Sequence, residues 1–95
     1  MIITDIIIPF DIEQKLLWKH QVNAYEVEEI FDNRPLIRFR EKGRVQGENL
    51  YTARGQTEAG RFMMVLFIHK KSSEALVISA REMTKREIQS YAKSK

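Results

Sequence analysis

Cysteine is absent from this 95-residue chain, and histidine occurs only twice, at His20 and His69. Without a thiol, the chain has no disulfide framework, no thiolate metal cluster and no cysteine nucleophile. Two histidines far apart in the sequence also make a zinc site a poor prediction. A chain without cysteine suits a reducing compartment, so we expect a cytoplasmic protein that needs neither a metal ion nor a cofactor.

Glycine and proline are scarce, with four and two residues, and there is neither a repeat nor a low-complexity tract. These residues therefore mark turns rather than linkers. The apolar stretch MIITDIIIPF is interrupted by Asp5 and stopped by Pro9, which fits neither a signal peptide nor a membrane span. With 43% hydrophobic residues, this length predicts a single domain over residues 1–95 and no membrane partner.

Acidic and basic residues occupy different segments of the chain, which carries a formal net charge of +3. AYEVEEIFDN (24–33) has four acids and no base, whereas RFREKGR (38–44) has four bases and one acid. REMTKREIQSYAKSK (81–95) has five bases and two acids. Two basic blocks predict a polyanionic partner such as RNA, DNA or an acidic protein segment. Ordinary clustering on a solvated surface is the alternative.

A strand and two helices are predicted in the N-terminal part. IITDIII is rich in β-branched residues and ends before a proline, which is typical of an edge strand. In DIEQKLLWKH, Asp11 is a suitable N-cap, and Ile12 and Leu16 lie four residues apart on one helix face. A second helix is expected to start at Asn23 through a capping box with Glu26.

From residue 35 onward the hydrophobic period changes to two. LIRFR places Arg38 and Arg40 on the strand face opposite the apolar one, and GENLYTARG follows after a turn at residues 43–47. RFMMVLFIH and ALVISA are apolar throughout, which is typical of central strands covered on both sides. Their close spacing predicts antiparallel hairpins. The terminal segment opens with a second capping box, Thr84 and Glu87, so the predicted fold class is α+β.

The sequence has no glycine-rich phosphate loop, no HExxH motif and no nucleophile elbow. The remaining reactive side chains are the histidines, the carboxylates, the tyrosines and the basic residues. This set suits metal-independent RNA cleavage. In that reaction a base takes the ribose 2′-OH proton, cations stabilise the phosphorane, and an acid protonates the leaving 5′-oxygen.

The two histidines are candidates for the acid and the base. His20 follows Lys19 at the end of the first predicted helix, where the helix dipole favours the imidazolium. The alternative is that His20 packs on the stripe of Ile12 and Leu16 and caps the helix. His69 ends an apolar strand and is more typical of a strand-end residue.

Arg81 follows ALVISA just before the last predicted helix, where its guanidinium and the free helical amides would together attract an anion. Glu87 and Tyr91 lie one turn apart and could supply a base and a hydroxyl donor. The alternatives are a salt bridge from Arg81 to Glu82 or Glu87, and a capping role alone for Glu87. Tyr91 could likewise simply pack beside Ile88.

Arg61 opens the central apolar strand and Arg54 ends its neighbour, with GQTEAG between them. In a hairpin, both arginines would point into one region near the turn, although each is also typical of a surface turn. We expect Arg61 and Arg81 to hold one phosphodiester where the rim of the sheet meets the start of the last helix.

Three segments together resemble the BrnT family of bacterial type II toxin–antitoxin toxins: WKHQVNAYEVEEIFDNRP, GENLYTARGQTEAGRFMMVLFIHK and ALVISAREMTKREIQSY. In particular they resemble a branch whose members read KHGV, then EEVF and N-P, a GQTEAGRY strand start, and ISAR-x-M-T-x-R-E near the end. The resemblance covers roughly residues 15–91, and the ordered combination is far more specific than any single motif.

The resemblance implies a RelE-like fold, with an N-terminal strand and two helices packed on a small antiparallel sheet and a C-terminal helix. It also implies ribonuclease activity that blocks translation. The partners it implies are RNA, a cognate antitoxin and, through their complex, operon DNA. In the best-known pairs the antitoxin is a BrnA-type DNA-binding dimer that wraps the toxin and represses their shared operon.

Carried over by position, the family-like residues are Lys19, His20, Arg61, Arg81, Glu87 and Tyr91. The residues expected to contact RNA phosphates are Lys19, Arg38, Arg40, Arg54 and Lys85. Three positions depart from the family pattern. Gln21 stands where many relatives have glycine, and Leu16 takes an asparagine position. The strand that commonly begins E-x-R-Y reads ENLY, so one arginine is missing, and Arg54 is a candidate to replace it.

These observations predict a metal-independent endoribonuclease toxin in which Glu87 or His20 is the base, and the other, or Tyr91, is the acid. A second hypothesis is a catalytically degenerate, toxin-like module that binds its antitoxin and co-regulates operon DNA. The missing strand arginine favours this second hypothesis. Direct DNA binding lacks support because no predicted helix carries a run of base-reading side chains.

Overall fold

Within the described residues, three helices and a five-stranded sheet form the fold, which confirms the predicted α+β class. The computed structural model describes residues 1–94. Its elements in chain order are β1 (Asp5–Ile7), α1 (Phe10–His20), α2 (Ala24–Asp32), β2 (Leu36–Val45), β3 (Glu48–Gln56), β4 (Phe62–His69), β5 (Glu74–Glu82) and α3 (Lys85–Ser94). Within the described residues, no helix combines the length and the apolar character needed to cross a membrane.

The strands are ordered β1-β5-β4-β3-β2 across the sheet. Strands β2 to β5 form three successive antiparallel hairpins, as their short separations predict. β1 lies at an edge, as expected, but pairs parallel with β5. The sheet is therefore mixed rather than wholly antiparallel. The reason is that α1 and α2 carry the chain to the far edge before the hairpins bring it back beside β1.

One face of the sheet packs against α1 and α2 and holds the main core; we call it the helix face. Side chains alternate along β4, so Met63, Val65 and Phe67 all reach this face, where they are fully buried. Phe31 of α2 meets Phe67 edge-on, with ring centroids 5.2 Å apart. The two helices are thus fixed on the sheet by interlocking apolar side chains.

The opposite face, which we call the open face, is covered by residues 1–94 at one end only. There Tyr91 of α3 packs with Phe62, Met64 and Met83 in a second, smaller apolar cluster. Leu66, in the middle of β4, remains half-buried. The expectation that β4 and β5 are covered on both sides is therefore wrong for most of this face, because a single ten-residue helix cannot span it.

Local capping explains where two of the helices start. Asn23 is the N-cap of α2, and its backbone N–H donates to the Glu26 carboxylate at 3.0 Å. Before α3, the Thr84 N–H donates to Glu87 at 2.8 Å and the Glu87 N–H donates to the Thr84 hydroxyl at 3.2 Å, which confirms this capping box. Asp11 is not an N-cap, because α1 already begins at Phe10 and its N-cap is Pro9. The charge of Asp11 lies in the first turn, where it still favours the helix dipole.

The turn between β2 and β3 is tighter than predicted. β2 continues past Gly43, and the turn consists of Gln46 and Gly47, which has a φ of 83°. Gly43 itself lies in the strand, where a Cβ would overlap the Glu48 carbonyl oxygen. Glycine at this position therefore permits a close approach of two backbones.

Phe67→Ala removes a large, fully buried side chain, and we expect the free energy of unfolding to fall by about 3–5 kcal/mol. Phe39 is 58% exposed on the edge strand β2 and provides a matched control. Phe39→Ala should change the free energy of unfolding by less than about 1 kcal/mol. Urea unfolding followed by circular dichroism measures both values, and equal losses would contradict this description of the core.

Candidate functional site

Arg61 and Arg81, expected to share one phosphate pocket, lie on opposite faces of the sheet. On the helix face, the Nε of Arg61 donates to the Glu82 carboxylate at 2.7 Å. Arg81 precedes Glu82 in β5, so its side chain points to the open face, where it contacts the Met64 sulfur. The pocket expected between Arg61 and Arg81 is therefore wrong, because strand alternation separates them.

On the helix face, Arg61 holds three elements together. Its Nη1 donates to the Gln21 carbonyl oxygen at 2.8 Å and to the Glu26 carboxylate at 3.0 Å, and its Nη2 donates to the His20 carbonyl oxygen at 3.2 Å. With Glu82, these contacts join the end of α1, the start of α2 and the end of β5; we call this set the Arg61 clamp. The guanidinium satisfies carbonyl groups that a helix end leaves unpaired.

The clamp contains a buried carboxylate. Burial raises the pKa of Glu26, but hydrogen bonds from the Asn23 N–H and from Arg61 outweigh burial, so the pKa lies below its usual value. Burial lowers the pKa of Arg61, and the carboxylates of Glu82 and Glu26 more than reverse that effect. Both partners are therefore charged at neutral pH, although Glu26 is only 7% exposed.

On the open face, Arg81 and Glu87 form a bidentate ion pair, with Nη1–Oε1 and Nη2–Oε2 distances of 2.7 Å and 2.9 Å. Hydrogen bonds from Arg81 and from the Thr84 N–H, acting against burial, hold the pKa of Glu87 at about 2. The salt bridge and the capping role, both alternatives from the sequence, are thus present together. The Arg81 side chain is 43% exposed, so a ligand on the open face can still reach it.

The strand registers align two rows of side chains across the open face. The first row consists of Leu36, Arg54, Met64 and Arg81, and the second of Arg38, Thr52, Leu66 and Ser79. Between them lies a cleft of about 130 Å³, which we call the basic cleft, lined by Arg40, Thr52, Met64, Leu66, Ser79 and Arg81. Guanidinium groups around a concave surface focus a positive potential that attracts phosphate.

Arg54 brings another guanidinium to this face, in the row between Leu36 and Met64. Its Nε is buried and has no hydrogen-bond partner within residues 1–94. Buried donors without an acceptor are uncommon in folded proteins. Because this Nε is shielded from solvent and Arg54 does not line the cleft, a phosphate would reach it only after neighbouring side chains move. Contact between Arg54 and RNA therefore stays a prediction.

Neither histidine lies in the basic cleft. His20 ends α1 on the helix side, where its backbone carbonyl is part of the Arg61 clamp, and Lys19 beside it is exposed. His69 ends β4, and its Nε2 lies 2.7 Å from the Ile2 carbonyl oxygen, as suits a strand-end residue. The position of His20 therefore gives no geometric support to its predicted catalytic role.

Tyr91 is also turned away from solvent. It is 2% exposed, and its ring packs edge-on against Phe62 with centroids 6.2 Å apart. The alternative prediction for Tyr91 was packing beside Ile88, and the structure shows the ring packed in a cluster that both Phe62 and Ile88 contact. A hydroxyl in this position would reach a substrate only after a shift of α3.

The structure thus brings together part of the predicted set. On or beside the open face are Arg38, Arg40, Arg54, Arg81 and Glu87, with Lys85 exposed at the start of α3. The sequence reasoning missed Thr52 and Ser79, which line the cleft. Each lies two residues before an arginine on the same strand, a spacing that places both side chains on one face.

Arg61→Ala leaves the buried Glu26 without its cation, so we expect the free energy of unfolding to fall by about 3–5 kcal/mol. Glu82 is 61% exposed at the outer end of the clamp, and Glu82→Gln should lower the free energy of unfolding by less than about 1 kcal/mol. Chemical denaturation of both variants provides the comparison. A larger loss of unfolding free energy for Glu82→Gln than for Arg61→Ala would show that the contacts of Arg61 with α1 and α2 contribute little to stability.

The Glu87 ion pair should make stability depend on pH in the acid range. Because the folded-state pKa of about 2 lies below the usual 4.5, the stabilisation is complete above that usual value and is lost as pH falls from about 4.5 to about 2. Glu87→Gln should therefore cost about 1–2 kcal/mol at pH 7, allowing for solvent screening at an exposed arginine, and almost nothing near pH 2. In an Arg81→Ala background, the loss of unfolding free energy caused by Glu87→Gln should vary much less with pH. If that loss is the same at pH 2 and pH 7 in the wild-type background, the ion pair is not its source.

No curated protein matches this chain. The profile of one protein family, described as ribonuclease toxin, BrnT, of type II toxin-antitoxin system, matches residues 10–87. The matched span runs from the first residue of α1 to Glu87 and so contains the Arg61 clamp, the basic cleft and the Arg81–Glu87 pair. The chain belongs to the BrnT family of ribonuclease toxins of type II toxin-antitoxin systems.

Proposed function

We propose that this chain is an endoribonuclease toxin that cleaves RNA without a metal ion in the cytoplasm and thereby inhibits translation. A cognate DNA-binding antitoxin neutralises it, and their complex regulates the shared operon. The observation that supports the nuclease most directly is the basic cleft, which Arg40 and Arg81 line together with hydroxyl and apolar side chains.

The cleft suits the backbone of a single RNA strand better than the edges of its bases. Arginines bind phosphates as charge-assisted, often bidentate partners, and the hydroxyls of Thr52 and Ser79 can hydrogen-bond ribose or phosphate oxygens. Arg38 extends the same positive surface along β2. Affinity from such contacts depends strongly on salt and tolerates many sequences.

Arg81 and Glu87 are the proposed reacting pair. A phosphodiester that enters the cleft competes with Glu87 for the Arg81 guanidinium, because both are anions that fit the same bidentate donor. Once Glu87 loses this cation, its pKa rises from about 2 towards its usual value. The freed carboxylate then takes the 2′-OH proton while Arg81 stabilises the negative charge on the phosphorane.

The bond changes in this step balance without a co-reactant. The 2′-oxygen attacks phosphorus, the bond between phosphorus and the 5′-oxygen breaks, and a 2′,3′-cyclic phosphate and a 5′-hydroxyl result. The 5′-oxygen takes its proton from water, and Glu87 restores that proton by releasing the one it accepted from the 2′-OH. The acids predicted from the sequence, His20 and Tyr91, lie on the helix side and in the buried cluster under α3. Arg61, whose donors are directed to protein acceptors, acts in this scheme as a positioning residue for the helices.

Purified protein should cleave single-stranded RNA in the presence of EDTA, and Arg81→Ala should lower the rate by about 100-fold or more, the range found when a charge-stabilising donor is removed. Arg44→Ala is the matched control, because Arg44 is exposed near the end of β2 and lines neither the cleft nor the clamp. Gel analysis of a labelled oligonucleotide measures the rates, and circular dichroism confirms folding. Intact RNA after incubation with folded wild-type protein would instead favour the degenerate binding module.

A further inference from the structure

A larger concave surface lies on the helix face, away from the basic cleft. It is a groove of about 840 Å³ between the first residues of the chain and α2, which we call the N-terminal groove; more of its exposed lining is polar than apolar. Its floor includes Ile3, Phe31, Ile37 and Tyr51, all half-buried. Ile37 precedes Arg38 in β2, so the groove and the cleft use opposite faces of the same strands.

Carboxylates surround this apolar floor. Asp5, Glu28 and Asp32 line the groove, and all three are exposed. Glu28 and Asp32 lie four residues apart on α2, where like charges repel each other. Neither of these two carboxylates forms an ion pair or a hydrogen bond with another residue of the described part of the chain. On a chain with a net charge of +3, this is an uncompensated acidic patch.

Apolar surface also continues beyond the groove. Phe39 is 58% exposed and stands edge-on to Tyr51, with ring centroids 5.8 Å apart. Ile2, on the other side, is 73% exposed. Contiguous exposed apolar side chains with a polar rim are typical of surfaces that bind another protein.

We propose that the N-terminal groove docks a segment of the antitoxin polypeptide in which apolar side chains are flanked by lysine or arginine. The apolar side chains would pack on Phe31 and Tyr51, while the cations would pair with Glu28 and Asp32. This inference rests on the antitoxin partner of the proposed function and identifies the surface that holds it. RNA does not fit this groove, because the carboxylates repel phosphates.

Since the groove and the cleft lie on opposite faces, binding of the antitoxin and cleavage of RNA can be altered separately. Glu28→Lys/Asp32→Lys reverses the charge of the groove wall, and its matched control, Asp11→Lys/Glu58→Lys, makes the same change in net charge at two exposed acids outside the groove. The probe is the purified protein encoded by the reading frame adjoining the gene for this chain.

The groove variant should bind this probe about 100-fold more weakly than the wild type, because repulsion between like charges replaces attraction between opposite charges. The affinity of the control variant should stay within about threefold of the wild-type value. Glu28→Gln/Asp32→Gln, which only removes the charges, should give a loss of about tenfold. Fluorescence titration gives the affinities, and thermal unfolding confirms that each variant is folded. RNA cleavage in EDTA should be unchanged in all three variants.

Equal affinities for the groove variant and the control would overturn the proposal, and so would a wild-type chain that does not bind the probe. Sedimentation of the chain alone tests whether a second copy of the chain occupies the groove. If the wild-type chain forms a dimer and the groove variant does not, the groove is a dimer interface and the proposal that it holds the antitoxin is overturned. Failure of the nuclease proposal has a different signature, in which RNA stays intact while antitoxin binding still depends on Glu28 and Asp32.

Discussion

The arrangement of the whole molecule depends on the guanidinium of Arg61. It binds carbonyl groups at the end of α1 and a buried carboxylate at the start of α2, and anchors both to the end of β5. Two helices that meet at a sharp turn have many possible orientations, and these directional contacts select one. With both helices fixed on one face, α3 is the one helix of residues 1–94 that remains to cover the other, so Arg38, Arg40 and Arg81 stay accessible.

The sheet separates the charges of the chain into two surfaces. Glu28 and Asp32, from the acidic segment 24–33, line the groove beside α2, while the strand arginines project from the other side. At the border of the open face, Arg81 is already paired with Glu87. A phosphate must compete with this internal carboxylate, so the site favours ligands that also contact neighbouring arginines over a single small anion.

Local chemistry predicted much of the fold, and long-range geometry accounts for what was missed. The capping box at Thr84 and the opposite orientations of Ile37 and Arg38 depend on neighbours in sequence, and the structure confirms both. The separation of Arg61 from Arg81 depends on the pairing register of β4 with β5, which periodicity alone does not give. The acceptors of the Arg61 side chain come from residues 21 to 41 positions away in sequence, and the groove forms where the first residues pass α2.

A single layer of strands serving two surfaces has a genetic consequence. Side chains alternate between the two sides along β3 and along the regular part of β2, Leu36 to Phe39, whereas β2 is irregular beyond Phe39. Deleting or inserting one residue within the regular stretches would therefore turn arginines into the core and apolar side chains into solvent. Length variation is tolerable instead in connections such as Gln46–Gly47, where the backbone leaves the sheet. Homologous toxins should thus differ in the length of their turns while the spacing within these strands stays fixed.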